Sequence, residues 1–282
     1  MRASGSIETA RSLGPHDHVC WVYDDHAEFL AAMVEFLAEG RASHQRVQYI
    51  ARGDRAVLHG HVDGLDGVDD TARGPVLVLS LDEVYQPGET VGPDAQVAAY
   101  RAATERALAD GFTGLRVAAE ATPLVRTPAQ RAAFVRYEHM IDRYMVAHPF
   151  SALCGYDRLE LGHETVAEIA CIHPLGRPEV APFQLFASER ADLGLVGEVD
   201  CSSIDLFRRT LADVMAGPRR GDQGEVTIDA RHLTFLDHRG LAALEEEAGR
   251  HFATIVLRTP LSTSQRLVEL LELGAVRVEA PV

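Results

Sequence analysis

The chain has 282 residues, of which 46% are hydrophobic and 24% charged, and its formal net charge is -15. All 27 basic residues are arginine and there is no asparagine, which excludes Schiff-base enzymes and P-loop ATPases of the usual form and counts against protein kinases and papain-type proteases. The acidic balance also argues against a nucleic-acid partner.

Targeting and cysteine patterns indicate a cytoplasmic protein with reduced, buried thiols. The N-terminal segment has no apolar signal-peptide region, and no later apolar run approaches the roughly 18 residues that span a bilayer. We therefore expect no membrane partner. The four cysteines are widely separated and form no CxxC pair, so the sequence predicts neither a disulfide framework nor a zinc ribbon.

The first 174 residues alternate between strand-length apolar runs and helical periodicity, which is the pattern of an α/β protein. The predicted strands are 18–23, 47–51, 75–81, 115–119 and 152–156, and the helices between them begin near 29, 56, 94, 128 and 164. The continuous apolar run at 75–81 is typical of a strand buried on both faces. Asp94 is placed to cap the helix that follows, and Thr127 with Pro128 to begin the next.

Five blocks of this region resemble the MEDS family, sensory domains of regulators from methanogens and methylotrophs. They are HDHVCWVYDD at 16–25, GFTGLRVAAEAT at 111–122, VRYEHMIDRYM at 135–145, ALCGYDRLEL at 152–161 and ACIHP at 170–174. The resemblance implies a RecA-like, doubly wound sheet. It also implies the sensing of a small apolar, hydrocarbon-derived ligand.

The turn after the first strand argues against a nucleotide site. RecA-type ATPases carry a glycine-rich phosphate loop there, whereas this chain reads YDDHAE at 23–28. No glycine lets the backbone approach a phosphate, and three carboxylates would repel one. We therefore predict a RecA-like sheet that lacks a functional P-loop.

A doubly wound sheet keeps its crevice at the carboxyl ends of the strands, and we place the ligand pocket there. The residues that match the family blocks and could line it are His18, Cys20, Tyr23, Glu120, Tyr137, Glu138, Cys154, Tyr156, Asp157 and His173.

Two alternatives stay open for these residues. On a strand His16, His18 and Cys20 would share one face, a spacing that metal sites use, although such residues are more often core. We assign no metal ligand and no catalytic residue, and we expect that the protein is not an enzyme. The first alternative is a metal- or redox-dependent sensor that uses His18, Cys20, Cys154 or His173. The second is an enzyme in the N-terminal cleft, with its base and thiol drawn from Glu120, Asp157, Cys20 and Cys154.

A proline-rich segment, PLGRPEVAP at 174–182, interrupts the periodicity and marks a boundary between domains at 1–176 and 177–282. Beyond it, three blocks resemble a STAS domain, the fold of bacterial anti-sigma factor antagonists: LGLVGEVD at 193–200, EVTIDARHLTFLDHRGLAAL at 225–244 and LVELLELG at 267–274. The resemblance implies a smaller α/β domain that binds an anti-sigma factor or another STAS-binding regulatory protein.

In these antagonists a strand-to-helix turn reads Asp-Ser/Thr-Ser/Thr-Gly and is phosphorylated on a hydroxyl. Here the turn reads Asp237-His238-Arg239-Gly240, so the usual switch is absent, and nearby Thr234 is predicted to be buried. These four turn residues form the predicted docking surface. Because a fixed cation at a helix N-terminus is unfavourable, Arg239 indicates an acidic partner.

The sequence thus predicts a two-domain signalling protein, a MEDS-like sensor joined to a STAS module without the phosphorylatable hydroxyl. Ligand occupancy would have to favour one of two states of the docking surface.

Overall fold

The computed structural model of the chain describes residues 2–65, 74–85, 90–216 and 224–281. The elements of its first unit are, in chain order, β1 (Gly5–Ser6), β2 (His18–Tyr23), α1 (His26–Ala42), β3 (Arg46–Ala51), α2 (Arg55–Gly60), β4 (Leu77–Ser80), α3 (Leu81–Val84), α4 (Pro93–Ala109), β5 (Leu115–Glu120), a 3₁₀ turn (Thr122–Leu124), α5 (Pro128–Ala147), β6 (Phe150–Asp157), α6 (Arg158–Leu161), α7 (His163–Ala170) and β7 (Leu175–Gly176).

The seven strands form one parallel sheet in the order β1-β7-β2-β6-β5-β3-β4, which confirms the predicted α/β class. Helices cover both faces. Val19 and Trp21 of β2 pack with α1, whereas Cys20 and Val22 belong to the core on the opposite face, which contains Tyr137 of α5. All six residues of β2 are buried for this reason.

The long helix α5 begins as predicted, at Thr127 and Pro128. The Thr127 hydroxyl accepts from the Gln130 amide, and the Gln130 side chain accepts from the Thr127 amide in return. This capping box satisfies two amides that a helix start leaves free. It fixes the start of the helix that carries Glu138 and Asp142.

Two predictions on strands and caps are wrong in detail. The apolar run at 75–81 forms an edge strand, not one buried on both faces, since β4 pairs with β3 at the end of the sheet and Leu77 is 36% exposed. Asp94 does not cap α4, because Gly92 is the N-cap and Pro93 the first helical residue. Asp94 lies in the first turn, where its charge still suits the helix dipole.

The second unit is built on six strands. Its elements are β8 (Phe183–Ala187), β9 (Leu193–Val199), α8 (Ile204–Met215), β10 (Glu225–Asp229), β11 (Leu233–Leu236), α9 (His238–Arg250), β12 (Thr254–Arg258), α10 (Ser262–Leu270) and β13 (Val276–Glu279). The order is β11-β9-β10-β12-β13, with β8 antiparallel to β9. The short strand β11 is parallel to β9.

The two units share one continuous apolar core. The Leu185 amide of β8 donates to the Cys171 carbonyl after α7 at 2.6 Å, and the Cys171 sulfur lies 3.2 Å from the Thr210 hydroxyl of α8. The first sheet ends at Gly176 and the second begins at Phe183. The boundary at 176/177 stays a prediction.

All four cysteines are free, and three are buried; Cys201 is exposed, contrary to the expectation of buried thiols. Within the described residues, every helix is too short or too polar to cross a bilayer.

We expect Gly155→Ala to destabilise the protein by about 1–3 kcal/mol through overpacking. A Cβ at this β6 position would meet the Phe29 ring, with Cδ2 at 2.6 Å and Cζ at 2.9 Å. The control is Gly249→Ala on the exposed face of α9, where nothing lies within 4 Å of the new methyl group, and it should be neutral or slightly stabilising. Urea unfolding of both variants measures the difference, and equal midpoints would contradict the packing described.

Candidate functional site

Four buried side chains meet on the α5 side of the first sheet, and we call them the inner cluster. His18 comes from β2, Cys154 from β6, Glu138 from α5, and His173 from the turn after α7. A nitrogen, oxygen or sulfur atom from each lies within 4.8 Å of those of the others. The fold therefore brings together four chemically reactive groups that are far apart in sequence.

Glu138 is at the centre of the inner cluster. Its Oε2 atom lies 2.9 Å from Nε2 of His18 and 3.4 Å from Nε2 of His173. Nε2 of His18 also lies 3.7 Å from the Cys154 sulfur, and the two imidazole rings are tilted against each other with centroids 4.2 Å apart. Both Nε2 atoms therefore approach one carboxylate oxygen.

The opposite nitrogens of both rings are held by groups that only accept hydrogen bonds. Nδ1 of His18 donates to Oδ1 of Asp142 at 2.9 Å, and Nδ1 of His173 donates to the Ile169 carbonyl at 2.9 Å. These bonds fix the ring orientations and place a hydrogen on each Nδ1.

Asp142 is a fully buried carboxylate that joins the inner cluster to the second unit. Besides His18, it accepts from the Arg2 guanidinium and, through Oδ2, from the Ala187 amide at 2.9 Å. Arg2 also donates to the Ala187 carbonyl at 3.2 Å. The last residue of β8 is thus tied to the carboxylate that orients His18.

The charges in this region are strongly coupled. Burial opposes the charged form of His18, but the Glu138 and Asp142 carboxylates outweigh it and hold the pKa of His18 well above its ordinary value. Burial likewise opposes the Asp142 anion, yet Arg2 and His18 hold its pKa below the ordinary range. Burial raises the pKa of Glu138 and lowers that of His173. The neighbouring carboxylates thus favour the charged form of His18, whereas burial favours the neutral form of His173.

The buried cysteines are poor nucleophiles. Burial raises the pKa of Cys154 to about 11 and that of Cys171 to about 12, and it raises the pKa of Cys20 as well. A catalytic cysteine needs a depressed pKa in an accessible setting. Cys20 lies beside Cys154 in the strand register, but it does not belong to the inner cluster.

A small cavity of about 20 Å³ adjoins the inner cluster. His18, Glu138 and Cys154 form its polar wall, and the rest is mainly apolar and aromatic, with Tyr85, Tyr100, Val117, Leu124, Phe134, Tyr137, Ile141 and Phe150. The volume admits about one water-sized group. Larger clefts of about 260 and 410 Å³ lie where the N-terminal segment meets the second sheet, and neither is lined by a residue of the inner cluster.

The predicted pocket residues divide into two groups. The inner cluster and its surroundings contain His18, Cys20, Tyr137, Glu138, Cys154, Tyr156 and His173. The other three lie at the carboxyl ends of the strands, where the Tyr23 hydroxyl donates to Glu120 at 3.1 Å and Asp157 caps α6. The structure therefore places the larger group between the sheet and α5 and the smaller one at the strand ends, and ligand binding by these residues stays a prediction.

The turn after β2 is occupied by its own carboxylates. Asp25 caps α1 by accepting from the Ala27 amide at 2.9 Å, and Asp24 pairs with Arg158. A phosphate at this helix start would compete with a fixed negative charge. The lack of a functional P-loop stays a prediction.

The predicted docking turn is a helix start. Asp237 caps α9 by accepting from the Arg239 and Gly240 amides, each at 2.9 Å, and His238 and Arg239 are exposed. Gly240 is buried. A side chain there would meet Leu236 and the Val199 methyl group, the latter at 3.2 Å. Gly240 is closely packed within the chain, and its contact with a partner stays a prediction.

Thr234 is exposed, contrary to prediction, and its hydroxyl donates to the Gly197 carbonyl at 2.9 Å. Leu233 and Leu236 fill the buried positions of β11, which leaves Thr234 and Phe235 outside. Phe235 is 49% exposed and was not singled out from the sequence, yet it extends the surface around His238 and Arg239.

Asp142 and Arg2 were also missed. Asp142 carries a signal that could have identified it, because it follows Glu138 by four residues and so shares a helix face with it. Two carboxylates on the buried face of a helix need cationic partners. Arg2 carries no comparable signal, since its partners are distant in sequence.

A comparison with protein families identifies the first unit. The model of the MEDS domain, described as the MEthanogen/methylotroph, DcmR Sensory domain, matches residues 17–174. No curated protein matches the chain. The match covers 158 of the 282 residues and includes the inner cluster and Asp142. The chain therefore belongs to the MEDS family of sensory domains.

Proposed function

We propose that this chain is a cytoplasmic signalling protein in which the inner cluster and its cavity receive a signal and the second unit transmits it to a regulatory partner. The observation that carries the proposal is the Asp142 carboxylate, which binds His18 of the inner cluster through one oxygen and the Ala187 amide of the second unit through the other. Two hydrogen bonds, from His18 to Asp142 and from the Ala187 amide to Asp142, thus connect the cluster with the second sheet.

The cavity defines the ligand class. Its walls are mainly apolar, its volume is about 20 Å³, and its polar end consists of His18, Glu138 and Cys154. Such a site suits a very small, largely apolar molecule with one polar atom directed at the cluster. The tyrosine hydroxyls of Tyr85 and Tyr100, 3.4 Å apart, add polar groups near the opposite wall.

The second unit resembles a STAS domain, and we propose that it binds an anti-sigma factor or another STAS-binding regulatory protein. Its docking surface consists of Phe235, His238 and Arg239, which are exposed around the start of α9. Exposed aromatic and arginine side chains are enriched at interface centres. Because the two usual hydroxyl positions hold His238 and Arg239, we propose that control comes through Asp142 rather than serine phosphorylation.

The coupling follows from ordinary linkage. A ligand shifts the docking surface only by as much as its affinity differs between two states of the protein. By reciprocity, a bound partner changes the ligand affinity by the same factor. The buried bonds of Asp142 are the element whose making or breaking we propose to distinguish the two states.

The enzyme alternative has less support. Its thiols, Cys20 and Cys154, are buried with raised pKa values. Burial raises the pKa of its base, Glu120, which suits a proton acceptor, but Oε1 of Glu120 already accepts hydrogen bonds from the Tyr23 hydroxyl and the Thr122 amide. The metal-dependent alternative is taken up below.

We expect Asp142→Ala to lower the free energy of unfolding by about 3–5 kcal/mol, because it leaves buried Arg2 and His18 cations without their anion. The control Asp110→Ala removes an exposed carboxylate that pairs with Arg46 at 2.8 Å, and should cost about 0–1 kcal/mol. Urea unfolding compares the two. Similar losses for both variants would show that Asp142 is no more important than a surface charge.

We expect Asp142→Asn to speed hydrogen exchange at the Ala187 amide while leaving the Val256 amide of β12 unchanged. The neutral amide side chain cannot serve all three donors of Asp142, and Val256 lies in the buried pairing of β10 with β12. Exchange followed by mass spectrometry on the full chain measures both sites. An unchanged Ala187 rate would contradict the proposed link between the units.

We expect the full chain to capture an anti-sigma factor or STAS-binding regulator from its native extract, and Arg239→Glu to lose that partner. Arg266→Glu is the control, because it makes the same charge change at an exposed position on α10. Quantitative mass spectrometry identifies and counts the captured protein. Equal recovery by the two variants, or recovery of no such regulator by the unmodified chain, would contradict the docking proposal.

A further inference from the structure

We propose that the inner cluster binds one divalent transition-metal ion of the zinc type, through Nε2 of His18, Nε2 of His173, the Glu138 carboxylate and the Cys154 sulfur. The biological role of this ion rests on the proposed function. The inference adds to that function by naming what the inner cluster binds. The set replaces the sequence expectation of no metal ligand, and it omits Cys20 and His16.

The spacing of the donor atoms fits such an ion. Zinc binds nitrogen at about 2.0–2.1 Å and sulfur at about 2.3 Å, so tetrahedral donors lie about 3.3–3.6 Å apart. Three distances in the inner cluster are 2.9, 3.4 and 3.7 Å, and all four donor atoms lie within 4.8 Å of one another. Side-chain shifts of about 1 Å or less would complete the coordination.

Hydrogen bonding leaves these atoms without an alternative partner. Oε2 of Glu138 and Nε2 of His173 are buried, and among the described residues neither has a hydrogen-bond partner. Their 3.4 Å contact, like that between Oε2 and His18, lacks the geometry of a hydrogen bond. Buried polar atoms are rarely left in this condition. A cation bound by both atoms satisfies them together.

The outer contacts are those of metal-binding histidines. Such residues usually donate the second ring N–H to a carboxylate or a backbone carbonyl, which fixes the tautomer and the ring orientation. His18 donates to Asp142 and His173 to the Ile169 carbonyl, both from Nδ1. With Nδ1 retained as the donor in each ring and the Nε2 proton of His18 released on binding, the Nε2 atoms of both rings, which approach the same Glu138 oxygen, are available to the metal.

The donor types select the ion. Calcium and magnesium prefer sites made only of oxygen, whereas a set of two imidazoles, one thiolate and one carboxylate suits zinc and its neighbours. Binding releases the Cys154 thiol proton and the Nε2 proton of His18 to solvent. The thiolate and the Glu138 carboxylate then neutralise the dication, and Asp142 remains paired with Arg2.

The position connects the ion to the proposed ligand. His18, Glu138 and Cys154 form the polar wall of the cavity, so a small molecule in the cavity would lie beside the metal. Through His18, the ion would also bear on Asp142 and the Ala187 amide.

The test uses the full chain produced in zinc-supplemented medium and purified without chelators. We expect about one zinc ion per chain by elemental mass spectrometry. Cys154→Ser and His173→Gln should each reduce the metal content at least about tenfold. Their matched controls, Cys20→Ser and His139→Gln, replace buried residues of the same types outside the inner cluster and should keep it.

Cobalt provides a second measurement that does not require the ligand variants to fold. Protein produced in cobalt-supplemented medium should show a thiolate-to-cobalt charge-transfer band. The band should persist when Cys20, Cys171 and Cys201 are all replaced by serine, so that Cys154 is the sole cysteine.

Either of two results overturns the metal site. One is less than about a tenth of an ion per chain after both zinc and cobalt growth. The other is equal metal in the Cys154→Ser and Cys20→Ser variants. Neither result would affect the Ala187 exchange or the Arg239-dependent capture, so failure of the metal site and failure of the proposed function are distinguishable.

Discussion

A single buried carboxylate organises this protein. An ionised group in the interior is costly unless charged or hydrogen-bonding partners surround it, and Asp142 obtains three donors from separate parts of the chain. Arg2 comes from the N-terminal segment, His18 from β2 and the Ala187 amide from β8. The N-terminal segment, the first sheet and the second unit must therefore be positioned together for Asp142 to be stable.

The same constraint explains why the reactive groups lie inside the fold. At the carboxyl ends of the strands, where parallel sheets usually bind ligands, Asp25 caps α1 and Asp24 pairs with Arg158. That edge is filled by the chain's own charges. Between the sheet and α5, by contrast, Glu138 and Asp142 face inward and contact His18, and Glu138 also contacts His173. These polar side chains therefore lie next to an interior cavity and not in a surface crevice.

The sequence predicts the α/β class, most of the elements and seven residues in or around the inner cluster, because periodicity and family blocks are local signals. It does not predict which strands are neighbours, and the register of Cys20 with Cys154 depends on that order. The predictions that the strand at 75–81 is buried on both faces and that Thr234 is buried are wrong for the same reason. An apolar run shows that a strand is suited to burial, but what covers each face is decided by elements far along the chain.

Under the proposed function, the surroundings of the inner cluster determine what kind of change can pass from it to the second unit. The cluster is fully buried, and its core continues without interruption into the second unit; close-packed interiors change between discrete arrangements more readily than they deform. His18 has two carboxylate neighbours, Glu138 and Asp142. Anything that draws His18 towards Glu138 weakens its bond to Asp142 and leaves that carboxylate to Arg2 and Ala187. Glu138 and Asp142 thus compete for the His18 imidazole. Through this competition a change at the cluster can strengthen or weaken the hydrogen bond between Asp142 and the Ala187 amide of β8.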